Sequence, residues 1–381
     1  MRIQDVPTPC YVIDEGRLEE NLKILRSVED RTGAKILLAQ KCFSAFCEYE
    51  LIGRYISGTT ASGLYEARLG HEEMQKENHV YSPAYRPQDM DELMRICDHI
   101  IFNSKSQLLK YAPMAEKVYK ETGKRPSLGV RINPECSTQK DHAIYDPCSP
   151  GSRMGIRSMD MDEEILSNID GIHFHTLCEQ DSDDLETTLK AVEEKFSDCL
   201  HRVKWLNMGG GHHITRKGYD IERLIRLIDH MKDTYDLEIY LEPGEAVALN
   251  AGYNVTTVLD IVENDIKTLI LDTSAACHMP DVLEMPYRPP LKDSDEPGKK
   301  PFTYRLSCNT CLAGDVIGDY SFDREIKTGD RIYFEDMAIY SMVKNNTFNG
   351  IPLPAIAVMD KNGDCKIVKE FDYTDFKNRL S

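Results

Sequence analysis

From the N-terminus to about residue 245, short apolar runs alternate with longer segments whose apolar residues recur every three or four positions. The runs at 34–43, 55–62, 79–85, 99–104, 127–134, 171–177, 205–211 and 238–245 predict eight β-strands. Another short strand is expected over Thr8–Asp14, followed by a helix carrying Leu18, Leu22, Ile24, Leu25 and Val28. Helical periodicity fills the gaps near 44–54, 63–75, 87–97, 105–123, 161–168, 183–201 and 220–235. Leu185, Leu189, Val192 and Phe196 form one apolar stripe; Ile221, Leu224, Ile225 and Ile228 form another. Side chains at such spacing share one helix face. Eight strands alternating with helices over about 220 residues predict a (β/α)8 barrel of the TIM type. A doubly wound open sheet is the alternative. Polar and glycine-rich residues after nearly every strand favour the barrel, whose strand ends converge on one mouth, whereas an open sheet offers one crevice.

Beyond Glu245 the pattern shortens. Strands are expected at 253–263, 266–273, 303–308, 331–335, 339–343, 355–359 and 365–371, with turns at Thr328-Gly329-Asp330 and Asn362-Gly363. Residues 287–300 read as a polar, proline-rich loop. The predicted organisation is an α/β barrel over 12–248 and a C-terminal β-rich domain. That second domain is a β-sandwich or β-barrel built from 1–11 plus 249–381. No internal repeat or low-complexity tract interrupts the pattern.

A chain of 381 residues suits two domains. Its net charge of −18 and pI near 5.1 argue against nucleic acid or an anionic membrane as partner. No run of 18 apolar residues occurs and Met1-Arg2-Ile3-Gln4-Asp5 is no signal peptide, so a cytoplasmic location is expected. In that compartment the 12 scattered cysteines are expected to be mostly free thiols.

The chemistry begins where the second predicted strand ends. Ala34 to Phe43 is an apolar run that stops abruptly in Lys41. A lysine so placed either keeps its head in solvent or works as an amine of lowered pKa, for instance in a Schiff base with a carbonyl cofactor. Gly209-Gly210-Gly211 follows the apolar strand Val203–Met208. It is either a plain tight turn or a phosphate loop, a recurrent use of this position in barrels. No GxGxxG or P-loop lysine is present, so a nucleotide is not indicated. Glu242-Pro243-Gly244-Glu245 closes the eighth strand, as an ordinary turn or as a carboxylate that keeps a heterocyclic nitrogen protonated. His173-Phe174-His175 lies on a predicted strand, so its imidazoles should point to opposite faces, with His175 toward the mouth. It is then a ring-stacking residue or a hydrogen-bonded core histidine. Cys308-Asn309-Thr310-Cys311 has zinc-like spacing but no second ligand pair, and the neighbours His212 and His213 cannot easily chelate from one face. No metal is expected.

Together these residues resemble the alanine-racemase-like fold of pyridoxal phosphate enzymes, and within it the basic-amino-acid decarboxylases. Order and spacing agree over nearly the whole chain. The resemblance implies pyridoxal 5'-phosphate as cofactor, with Lys41 as its Schiff-base lysine, His175 stacking on the ring and Glu242 at the pyridine nitrogen. It implies Gly209, Gly210, Gly211 and Tyr340 at the phosphate. Thr310-Cys311 with Gly314-Asp315 resembles a cysteine segment that reaches the partner subunit's site. This implies a homodimer with shared active sites and Cys311 as a catalytic residue. Thr347-Phe348-Asn349-Gly350 resembles the closing motif of the family.

Departures narrow the branch. The EPG motif ends in Glu245 where many relatives carry arginine, and a carboxylate there suits a substrate cation. Leu312 replaces the aspartate that usually follows the cysteine. Thr176-Leu177-Cys178-Glu179 replaces the usual glycine-serine pair, and Asp272 to Asp281 is distinctive. The combination resembles the carboxynorspermidine (carboxyspermidine) decarboxylases of polyamine biosynthesis. On that resemblance Glu245, Asp281 and Asp315 are substrate-binding acids for a small-molecule carboxylated polyamine. A diaminopimelate or other basic amino acid decarboxylase, an alanine racemase and a non-catalytic cofactor carrier are the alternatives.

Overall fold

The computed structural model describes residues 1–139 and 143–381. After β1 (Cys10–Asp14), eight strands follow in the expected order. They are β2 (Lys35–Ala39), β3 (Gly58–Ala61), β4 (Glu77–Tyr81), β5 (His99–Phe102), β6 (Ser127–Arg131), β7 (Gly171–His173), β8 (Trp205–Asn207) and β9 (Glu238–Leu241). All are parallel, and β9 returns to β2 to close the barrel. Every strand is shorter than the apolar run that announced it. The last residues of each run turn out of the sheet to line the mouth.

The helices follow their apolar stripes and carry local stop signals. Lys105–Thr122 starts on Ser104, whose Oγ accepts the Gln107 N–H, and ends on Gly123 at φ +76°. Ile221–Tyr235 starts on Asp220, whose carboxylate accepts the Arg223 N–H.

The single tryptophan fills the base of the barrel. Trp205 packs with Leu37, Ile101 and Tyr240, and its Nε1 donates to Ser127 Oγ at 2.8 Å. Glycines on β7 and, one strand further, β6 make room for the indole. A Cβ on Gly171 would stand 1.9 Å from Trp205 Cδ2, and one on Gly129 2.3 Å from Cη2. Gly171→Ala should therefore force the indole aside at a cost of roughly 1–3 kcal/mol or more. Chemical denaturation checks this, and unchanged stability would contradict the packing.

The chain divides into a barrel unit, Asn21–Val247, and a sheet unit, Met1–Glu20 with Ala248–Ser381. β1 pairs with strands of the sheet unit, so residues 12–14 join that sheet and not the barrel, contrary to the expected boundary. The remaining strands are β10 (Gly252–Asn264), β11 (Ile266–Leu271), β12 (Ser294–Asp295), β13 (Phe302–Cys308), β14 (Val316–Phe322), β15 (Arg331–Glu335), β16 (Ala355–Met359) and β17 (Cys365–Lys369). They form a mixed nine-stranded sheet in the order β12-β14-β13-β11-β10-β1-β16-β17, with β15 also on β10. Its core gathers Leu269, Leu271, Tyr304, Leu306, Tyr320, Phe322 and Phe334.

Two expectations fail here. Residues 339–343 are not a strand, because Tyr340 adopts φ +52° and breaks the extended backbone. β14 was not foreseen, because Gly318 and Asp319 interrupt its alternation. In the sheet Asp319 pairs across to Arg305 at 2.8 Å. The 12 cysteines are free thiols, and among the described residues no helix is long and apolar enough to cross a membrane.

Candidate active site

The mouth of the barrel is assembled from residues just past the strand ends. After β2 the backbone turns, with Cys42 N–H donating to Ala39 O at 3.1 Å, and this turn presents Lys41. The Lys41 side chain is accessible to solvent. Loss of hydration, then the nearby Arg131 guanidinium, lowers its pKa from the ordinary lysine value; Glu242 acts in the opposite sense. Gly244 allows this approach, since a Cβ there would stand 2.5 Å from Cys42 Cβ.

Glu242 follows β9 and is 6 % exposed. Burial opposes its charge, but the His173 Nε2–H contact at 3.3 Å and the Asn207 Nδ2–H bond at 2.7 Å more than offset this. Its carboxyl is held below the usual range, so it is ionised at neutral pH. Burial lowers the pKa of His173, and Glu242 beside it acts in the opposite sense. Asn207 Oδ1 accepts the Gly209 N–H at 2.9 Å, tying Glu242 to the glycine loop.

His175 is fixed by that loop. Gly210 N–H donates to its Nδ1 at 3.1 Å, and Arg131 Nη2 donates to its carbonyl at 2.7 Å. Burial, then the charges of Lys41 and Arg131, push its pKa well down, leaving a neutral, flat ring. The structure corrects the expectation that only one imidazole faces the mouth. β7 ends at His173, so the alternation lapses before His175, and both rings reach the site.

The glycines are required sterically. Gly209 and Gly211 stand at φ +66° and +82°. A Cβ on Gly210 would lie 2.4 Å from Glu242 O and 3.1 Å from His175 Cε1. The loop therefore forms a bare backbone cradle between the His175 imidazole and the backbone carbonyl of Glu242. Lys41, His175, Gly209–Gly211 and Glu242 thus meet in one mouth. This set fits pyridoxal phosphate, offering an amine of lowered pKa, a neutral stacking ring, a buried carboxylate for a protonated ring nitrogen and a glycine cradle for a phosphate.

Arg131 and Asn207 were not foreseen. Arg131 ends an apolar strand just as Lys41 does, and its guanidinium lies 4.8 Å over the Tyr81 ring. Asn207 is the one polar residue of β8, two positions before the first glycine. Glu245 opens the short helix Glu245–Ala248. One of its oxygens lies within 4.8 Å of ligand atoms of Glu179 and His213.

The other expected residues belong to the sheet unit. Cys311 is exposed, its N–H donating to Asn349 Oδ1 at 2.8 Å, while Cys308 is buried and its Sγ accepts the Ala275 N–H. The two thiols therefore face different surroundings. Tyr340 sits in the turn described above. Asp281 accepts from Lys344, which also reaches Glu284 at 2.8 Å. Asp315 departs from the expected substrate contact. It is 1 % exposed, and its carboxylate accepts from Ser274 Oγ at 2.7 Å, Thr310 Oγ1 at 2.5 Å and the Ala276 N–H at 3.0 Å. So engaged, it braces the Thr310-Cys311 loop and has no open side for a ligand within its own chain.

A sequence model described as pyridoxal-dependent decarboxylase, C-terminal sheet domain, matches residues 10–338. The chain is 42 % identical to a carboxynorspermidine/carboxyspermidine decarboxylase of Campylobacter jejuni over 100 % of both chains. It is 40 % identical to a carboxyaminopropylagmatine decarboxylase of a Synechocystis species, covering 100 % of this chain and 97 % of that one. A crystal structure of carboxynorspermidine decarboxylase with norspermidine, from C. jejuni, superimposes with a TM-score of 0.91, covering 98 % of this chain and 100 % of that chain.

Proposed function

We propose that this chain, which belongs to the pyridoxal-dependent decarboxylase family, removes the α-carboxylate of carboxynorspermidine or carboxyspermidine to give norspermidine or spermidine. The observation that carries this reading is Glu245. It places a carboxylate at the mouth beside Glu179, where a second carboxylate of diaminopimelate would be repelled and a cationic chain attracted. The full-length similarity to decarboxylases of carboxylated polyamines supports it.

Bound pyridoxal phosphate supplies the electron sink that makes loss of CO2 feasible. The chain's own groups position and protonate. Lys41 offers an amine at the end of β2. Glu242 holds a proton at the heterocyclic nitrogen through its ionised carboxylate. His175 would offer its neutral ring to the heterocycle, and the Gly209–Gly211 backbone with Tyr340 would hold the phosphate. Cys311 delivers a proton to the α-carbon, and Asp315 orients the loop that carries it. Glu245 and Asp281 read ammonium groups of the substrate, Lys344 shifting toward Glu284 when Asp281 does so. We place the enzyme in the cytoplasm as a homodimer, with Cys311 acting in its partner's barrel.

CO2 release across carboxynorspermidine, carboxyspermidine, carboxyaminopropylagmatine, ornithine, lysine, arginine and diaminopimelate tests the reading. Carboxylated polyamines should lead in kcat/KM, and preference for diaminopimelate or a simple basic amino acid would reject it. Glu245→Gln and Asp281→Asn should each lower kcat/KM for the polyamine substrate by about 10- to 150-fold, the loss of a charged hydrogen bond in a partly dry site. The cofactor spectrum should not change. Cofactor release by Glu245→Gln with unaltered kcat/KM per bound cofactor would remove its substrate role.

A further inference from the structure

Beside Glu245 lies a buried side chain that the mechanism does not use. One carboxylate oxygen of Glu179, one of Glu245 and one ring nitrogen of His213 all fall within 4.8 Å of one another. His213 is 7 % exposed, and neither Nδ1 nor Nε2 has a hydrogen-bond partner among the described residues. An imidazole buried in that state costs stability that no described residue returns. Its neighbour His212 differs, its Nε2 contacting Met208 O at 3.1 Å. Burial, then the charge of Arg216, holds His213 down to about 4, against the weaker opposing effect of Asp181. At neutral pH it therefore offers one bare nitrogen as an acceptor. Burial, then the charges of Glu179 and Glu245, raise the pKa of the neighbouring Cys178 thiol, and the charge of Lys41 opposes this.

Two carboxylates and a neutral acceptor call for a cation that donates hydrogen bonds. Acceptors about 2.8 Å from a shared ammonium nitrogen stand about 4.6 Å apart. Around a zinc-like ion at about 2.1 Å they would stand about 3.4 Å apart. Ligand atoms within 4.8 Å of one another are compatible with either, and the secondary ammonium is the cation that the functional reading supplies. A secondary ammonium has only two N–H donors and carries chain on both sides. It suits one bare imidazole nitrogen facing one carboxylate, with the second carboxylate adding charge at the rim.

We propose that Glu179, His213 and Glu245 together bind the secondary ammonium of the substrate, His213 being the neutral acceptor that fixes its position. This rests on the carboxylated-polyamine reading above. It separates such chains from ornithine and lysine, whose distal nitrogen is a primary ammonium.

The test uses the holoenzyme and its His213→Phe, His213→Gln and Glu179→Gln variants. Calorimetry measures the Kd of norspermidine and of its isostere with oxygen in place of the central nitrogen. His213→Phe should weaken norspermidine about 10-fold and raise KM for carboxynorspermidine to match, with kcat within about 2-fold. Binding of the oxygen isostere should be nearly unaffected. His213→Gln, which keeps an acceptor, should recover most of the loss. Glu179→Gln changes one exposed side chain without disturbing packing and should cost about 3- to 10-fold in norspermidine binding. Equal weakening of both ligands by His213→Phe would assign a structural role and overturn the proposal. So would Zn2+ binding that requires His213 and does not compete with norspermidine. If wild-type enzyme released no CO2 from carboxylated polyamines, the functional reading would fall. The norspermidine measurements would still decide whether these side chains hold a secondary ammonium.

Discussion

Lys41→Ala should lower CO2 release by at least about 10³-fold, because it removes the amine of lowered pKa at the mouth that would join a carbonyl cofactor. The loss should not come from unfolding. Lys41 has a folded pKa below its unfolded value, so at neutral pH the unfolded chain holds that proton more tightly than the folded one. Such a group destabilises the fold below its folded pKa, and the penalty fades as pH rises through the window between the two values. Removing it should leave the cofactor-free protein as stable at pH 7 as before, or more so. Thermal unfolding without cofactor measures this directly. Borohydride treatment of the wild-type holoenzyme, followed by peptide mapping, should find the pyridoxyl label on Lys41. Label on another lysine, or a cofactor-free Lys41→Ala protein that melts well below wild type, would reject the assignment.

The same property made Lys41 legible from sequence. A cation at the end of an apolar run and a triplet of glycines after a later one each have a plain structural reading alone, and it is their occurrence together with the EPG turn that points to a cofactor. Arg131 carries the same signal and was passed over, because Ile132 and Asn133 extend its run and hide where β6 stops. The barrel itself was legible through repetition, since eight strand-and-helix periods leave few alternative folds. Strand lengths were not, because buried mouth loops are as apolar as the strands they follow. Asp315 shows a further limit. An acid beside glycine in a turn looks exposed, and only the fold reveals that Ser274, Thr310 and the Ala276 amide surround it. His213 was hidden for a different reason. A histidine doublet seems unable to serve one ligand, but the backbone sends His212 into the glycine loop and leaves His213 to face Glu179 and Glu245.

Two inactive proteins should restore activity when mixed, if Cys311 works in the partner's barrel. The sheet unit gives this idea a physical basis. Cys311 is exposed on a loop held by Asp315 and Asn349, and exposed Leu312 and Phe348 flank it. Apolar side chains offered to solvent beside a braced, reactive thiol are what an interface loop requires. In a two-fold dimer each such loop would complete the other chain's mouth. Mixing Lys41→Ala with Cys311→Ala then gives a hybrid dimer in which one site carries both lesions and the other carries neither. Random reassortment makes about half the dimers hybrid, so activity should recover to about a quarter of wild type. The residual rate of the Cys311 variant is subtracted first, and subunit exchange is verified with tagged chains. If each site were built within one chain, every site in the mixture would keep one lesion and the rate would only average the two parents. That outcome would return Cys311 to its own barrel, and the exposed Leu312 and Phe348 would then need another explanation.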